Sequence, residues 1–157
     1  MIGVFDSGYG GLSVFKEIEK QLPNHDYIYL GDNARAPYGD RSQALIYSYS
    51  RQAVDYLFSQ GCNLVILACN TASAMALRRL QGEYLPNKYP NKNVLGVIRP
   101  MVETVVELPQ RNVVAVMGTK STIESEAYIH EFANLDKNIK VIQLACPLLV
   151  PLIEASR

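Results

Sequence analysis

Short runs of β-branched and aromatic residues recur at positions 2–5, 27–30, 64–68, 94–98, 113–117 and 140–144, each bounded by turn formers and too short for a helix. They predict strands. Between them, helical apolar patterns span 12–22, 43–60, 72–80, 101–108 and 123–134. Gly61 and Gly82 are expected to stop the second and third helices, and Ser121 with Glu124 has the capping-box spacing that would open the last. Strand and helix alternate throughout, which implies right-handed βαβ units and a mainly parallel sheet with helices on both faces. The expected fold class is α/β. The polar, proline-bearing stretch 85–92 and the Arg99-Pro100 step read as irregular chain, so a boundary is expected near residue 99.

Composition removes several function classes. The 157 residues carry 15 Lys plus Arg against 15 Asp plus Glu, which gives no cationic surplus for nucleic acid or an anionic membrane. Hydrophobic residues make up 48% of the chain, enough for a buried core. No apolar run approaches the ~20 residues that span a bilayer, and Met1-Ile2-Gly3-Val4-Phe5 enters a strand without a basic leader. Cys62, Cys69 and Cys146 are odd in number and lack metal-ligand spacing, so neither a disulfide framework nor a metal site is expected. A reducing, cytoplasmic compartment fits these features.

In open parallel sheets, ligands bind at the carboxyl ends of the strands. Three loops stand there: Asp6-Ser7-Gly8-Tyr9-Gly10-Gly11, Asp32-Asn33-Ala34-Arg35-Ala36-Pro37-Tyr38-Gly39, and Cys69-Asn70-Thr71-Ala72-Ser73. The first is a poor dinucleotide cradle, because the third glycine position falls on Ser13 and Asp6 would face a pyrophosphate. A carboxylate there suits an ammonium group or a proton instead. Cys69 ends an apolar strand and precedes a helix, whose dipole is expected to favour thiolate and make it a base or nucleophile. A phosphatase loop is disfavoured, since the position six residues after Cys69 is Met75 rather than an arginine. His25 and His130 lie away from the strand ends and are expected at the surface. Asp6, Asn70 and Thr71 would also serve as plain helix caps, and Arg35 would pair with Asp32 or with a partner subunit.

Taken together, Asp6-Ser7-Gly8-Tyr9-Gly10-Gly11-Leu12, Asp32-Asn33-Ala34-Arg35-Ala36-Pro37-Tyr38-Gly39 and Ala68-Cys69-Asn70-Thr71-Ala72-Ser73-Ala74 closely resemble the three N-terminal motifs of the glutamate racemases. The segments 118–123 and 145–152 are similar to later parts of that family. Related aspartate racemases usually carry His where this chain has Ser73, which favours glutamate. The resemblance implies cofactor-independent inversion at the α-carbon of glutamate, supplying the D-enantiomer for peptidoglycan and cell shape. It implies Cys69 as one of two acid–base thiols, acting on the D-enantiomer, with Asp6 orienting or accepting a proton and facing the substrate ammonium. Ser7, Tyr38, Gly39, Asn70 and Thr71 match substrate-binding positions, with Thr122 a further contact. No cofactor and no metal are implied, the partner is the small molecule glutamate, and a homodimer is an assembly the family often forms.

The resemblance also implies a flavodoxin-like doubly wound domain over 1–98, carrying Cys69, followed by an incomplete second α/β domain over 99–157. The family's second thiol lies in a Gly-Cys-Thr-His segment that does not occur among these 157 residues. Cys62 begins the strand that Cys69 ends, about 20 Å away at ~3.3 Å per residue, and is expected to be structural. Cys146 matches a segment that is not catalytic in the family. The chain therefore reads as holding the first thiol of a two-thiol site. The alternatives are a catalytically incomplete fragment that binds an amino acid or a partner, and a relative acting on another acidic substrate.

Overall fold

The computed structural model describes residues 1–109 and 112–155; residues 110, 111, 156 and 157, within the expected second unit, lie outside the described residues. The elements run β1 (Ile2–Asp6), α1 (Gly11–Gln21), β2 (Tyr27–Gly31), α2 (Gln43–Ser59), β3 (Leu64–Leu67), α3 (Asn70–Arg79), a π turn (Leu80–Tyr84), α4 (Leu85–Lys88) and β4 (Asn93–Gly96). They continue with α5 (Ile98–Glu107), β5 (Val113–Gly118), α6 (Lys120–Glu124), α7 (Ala127–Leu135), β6 (Lys140–Ala145) and α8 (Leu149–Ala155).

Four parallel strands form a sheet in the order β2-β1-β3-β4. This is the flavodoxin-like winding, whose switch point lies between β1 and β3. Every residue of the central strand β1 is buried, as the apolar run Ile2-Gly3-Val4-Phe5 dictates for a strand covered on both faces. Right-handed crossovers place α1 on one face of the sheet and α2 with α3 on the other. The main core lies beneath α2 and α3, where Val54, Leu57, Ala72 and Ala76 meet Phe5, Val65 and Leu67.

β5 and β6 form a separate two-stranded parallel sheet. Its inner residues Val114, Val116 and Val141 pack on a second core made by Ile98, Val102, Tyr128, Phe132 and Ile139. The alternate residues Val113, Met117, Ile142 and Leu144 are exposed. No helix among the described residues is long and apolar enough to cross a membrane.

Several expected boundaries move. The helix expected to stop at Gly82 runs on as a π turn into α4, and so does part of the stretch 85–92 read as irregular. A π turn spaces its bonds five residues apart, which keeps both Leu80 and Leu85 on the buried face. β4 ends at Gly96, and Ile98-Arg99-Pro100 forms the first turn of α5, where a proline's missing N–H is tolerated. The capping box at Ser121 does not form. Thr119 caps α6 instead, accepting the Thr122 N–H, and Glu126 in the left-handed region separates α6 from α7.

Candidate active site

The carboxyl ends of β1, β2 and β3 converge on a cavity of ≈ 610 Å³. Asp6, Ser7, Tyr38, Gly39, Cys69, Asn70 and Thr71 all line it, so the structure brings these seven residues to one place, while Thr122 falls outside its lining. α8, which the strand and helix pattern did not predict, closes one side through Val150, Pro151 and Ile153. No lysine or arginine lines the cavity among the described residues.

Cys69 caps α3 from the end of β3, its sulfur accepting the Ala72 N–H at 3.4 Å. Ser7 Oγ lies 3.3 Å from the same sulfur. The thiol is 6% exposed. Burial pushes its pKa above the ordinary thiol value and the Asp6 carboxylate adds to the rise, while the bonds from Ser7 and Ala72 oppose it. Burial together with Asp6 thus favours the thiol form of Cys69, where its position at a helix start alone points to thiolate.

Asp6 is buried and accepts the Gly8 N–H at 2.9 Å, which folds the first loop over the strand end. Gly11 is required at the start of α1, since a Cβ there would lie 2.5 Å from that of Asp6.

The second loop is held from behind. Tyr38 is 1% exposed, packs against Phe5 and Tyr49, and donates its hydroxyl to Asp32. Arg35 takes the within-chain option, donating to Asp32 at 2.6 Å and to Gln52 at 2.9 Å while stacking 4.3 Å over Tyr49. Burial and Asp32 raise the Tyr38 pKa far above that of a free phenol, so it remains a donor. Next to it, the Gly39 carbonyl accepts from the N–H and the hydroxyl of Ser121, at 3.0 and 2.8 Å. A Cβ on Gly39 would come within 2.8 Å of Thr119.

Thr71, Thr119 and Thr122 join their hydroxyls across the junction of the two sheets at 2.9 to 3.3 Å. Sequence reasoning named Thr122 but passed over Thr119, which lines this cavity; it directly follows Gly118 at the end of β5, the same strand-end signal used for the other loops. Thr122 and Cys146 line an adjoining apolar cavity instead. His25 and His130 are exposed, and Cys62 is buried at the opposite end of β3. Among the described residues, no group of three or more His, Cys, Asp or Glu could hold a metal ion.

No family model matches the chain. A curated glutamate racemase from Sulfurihydrogenibium sp. (strain YO3AOP1) is 44% identical over 98% of this chain and 57% of its own length. A solved glutamate racemase isoform from Bacillus anthracis superposes with a TM-score of 0.90 at 38% identity, covering 98% of this chain and 56% of that one. Over nearly its whole length the chain is similar to part of a glutamate racemase. It spans about half the length of the curated glutamate racemases it matches. The glutamate racemase of Francisella tularensis, solved in complex with D-glutamate, has a TM-score of 0.86 at 41% identity over 98% of this chain and 55% of its own.

Proposed function

We propose that this chain carries the first catalytic thiol and much of the substrate site of a cofactor-independent glutamate racemase, a cytoplasmic enzyme that supplies D-glutamate for peptidoglycan. On this reading residues 1–98 form the thiol-bearing domain and 99–157 begin the second. One observation carries it: the Cys69 sulfur stands beside Ser7 in a cavity that offers neutral donors and the carboxylates of Asp6 and Asp40 but, among the described residues, no lysine or arginine.

The chemistry follows from those groups. Asp6 meets the substrate ammonium, while hydroxyls of Ser7 and Thr71, the Asn70 amide and backbone N–H groups hold the carboxylates. The negative charge of Asp6 is one cause of the raised Cys69 pKa. An ammonium beside Asp6 offsets that charge, so binding of the amino acid itself lowers the barrier to ionising the thiol. The Cys69 thiol gives its proton to solvent as it ionises, and the thiolate then removes the Cα proton of D-glutamate: the Cα–H bond breaks, an S–H bond forms, and the electron pair stays on Cα. A second acid on the opposite face returns a proton there and gives L-glutamate.

The test is incubation of the chain with D-glutamate and with L-glutamate in D2O, following loss of the Cα proton separately from optical rotation. Exchange that disappears in Cys69→Ala is the expected result, and undiminished exchange in that variant would overturn the reading. The span of about half the relatives' length favours one second reading, a fragment that binds without turnover. Binding heat for D-glutamate with no exchange would establish it.

A further inference from the structure

Asn70 opens α3 and lines the cavity. Its Oδ1 accepts the hydroxyl of Tyr128 at 2.7 Å, 58 residues further along the chain. Tyr128 stands on α7 in the second core, 5% exposed, with the Met101 sulfur 3.4 Å from its oxygen. Burial raises its pKa, so the hydroxyl remains a donor. The Asn70 Nδ2 has no partner among the described residues.

A side-chain amide presents a donor or an acceptor according to which way it is turned. In the flipped amide the buried phenol hydrogen would retain only the Met101 thioether, a weak acceptor, and a buried donor without a strong partner is unfavourable. From this geometry we propose that Tyr128 is a positioning residue: it holds Asn70 with its NH2 toward the cavity, so that Asn70 selects a carboxylate over an amide. The proposal rests on the reading of the cavity as a glutamate site. It assigns a specificity role to a residue on the second sheet's helix layer that touches no substrate atom. It also makes the selection switchable, because Phe at position 128 would remove the donor and free the amide to turn.

The experiment is calorimetric titration of the chain and of Tyr128→Phe with D-glutamate, D-glutamine and D-isoglutamine, the two monoamides covering either carboxylate. The expected result is wild-type rejection of the monoamide whose altered group faces Asn70. Tyr128→Phe should bind D-glutamate about tenfold more weakly and bind that monoamide as well as or better than wild type. Equal weakening for all three ligands, or unchanged discrimination, would overturn the proposal. Wild-type protein that takes up none of the three defeats the glutamate reading itself, a separate outcome that removes the proposal with it. If Tyr128→Phe fails to fold, Asn70→Asp decides. That variant removes the NH2 and should lose D-glutamate by more than about tenfold while retaining the monoamide, and equal loss of both would overturn the proposal.

Discussion

Ser7 Oγ lies 3.3 Å from Cys69 Sγ, although the two residues are 62 positions apart. The parallel register of β1 and β3 creates this meeting: Phe5 pairs with Leu67, and each strand delivers its next residues to the same rim. The hydroxyl stabilises the thiolate and the Asp6 carboxylate opposes it, so the two neighbours push the thiol in opposite directions. Ser7→Ala should therefore move thiol ionisation to higher pH and Asp6→Asn to lower pH. Ultraviolet thiolate absorbance against pH, referenced to Cys69→Ser, measures both shifts. A shift of the same sign in the two variants would contradict this account.

Stability should fall on the alkaline side. The folded-state pKa values of Cys69 and Cys62 are both raised, chiefly by burial. Folding therefore favours the thiol form, and the stability this supplies is fully present below the unfolded thiol pKa of about 8.5 and is lost as pH rises above it. Cys69→Ser, which keeps a capping oxygen at the start of α3, should lose less Tm between neutral pH and about pH 10 than the parent chain. Thermal melts across that range check the difference.

The support behind the second loop should outweigh its visible ion pair. Asp32→Ala leaves the buried Tyr38 hydroxyl without its acceptor, which costs about 1–3 kcal/mol. Arg35→Ala removes only the partly exposed partner and should cost about 1 kcal/mol or less. Urea unfolding of the two variants tests the order, and a larger loss in Arg35→Ala would reverse the assignment.

Gly39 is the close-approach position between the two sheets. Gly39→Ala should separate the second loop from Thr119 and weaken the Ser121 bonds to the Gly39 carbonyl, at about 1–3 kcal/mol. The same change should reduce D-glutamate affinity, because the loop that moves also lines the cavity. Matched urea and calorimetry measurements read both effects.

The sheet and its rim were legible in sequence because apolar runs end abruptly in polar loops, two of the three bearing glycines. Strand ends in a parallel sheet gather on one side, so three loops remote in sequence could be read as one site. What stayed hidden depended on contacts across the chain. Nothing near Gly82 says that Leu80 and Leu85 both need the same buried face, which is why the helix passes the glycine. The apolar pattern around Tyr128 reads as core, and its hydroxyl partner lies on another layer. A helix start beside Cys69 can be seen in sequence, whereas the burial that raises its pKa depends on the packed fold.

The absence of lysine and arginine from the cavity wall among the described residues has an electrical consequence. On the proposed reading, the two substrate carboxylates are held there by hydroxyl, amide and backbone dipoles at contact distance rather than by a full positive charge that salt would screen. Long-range attraction between full charges fades as the Debye length shrinks from about 10 Å at 0.1 M to about 3 Å at 1 M salt. D-Glutamate affinity of this chain should therefore vary little across that range of ionic strength.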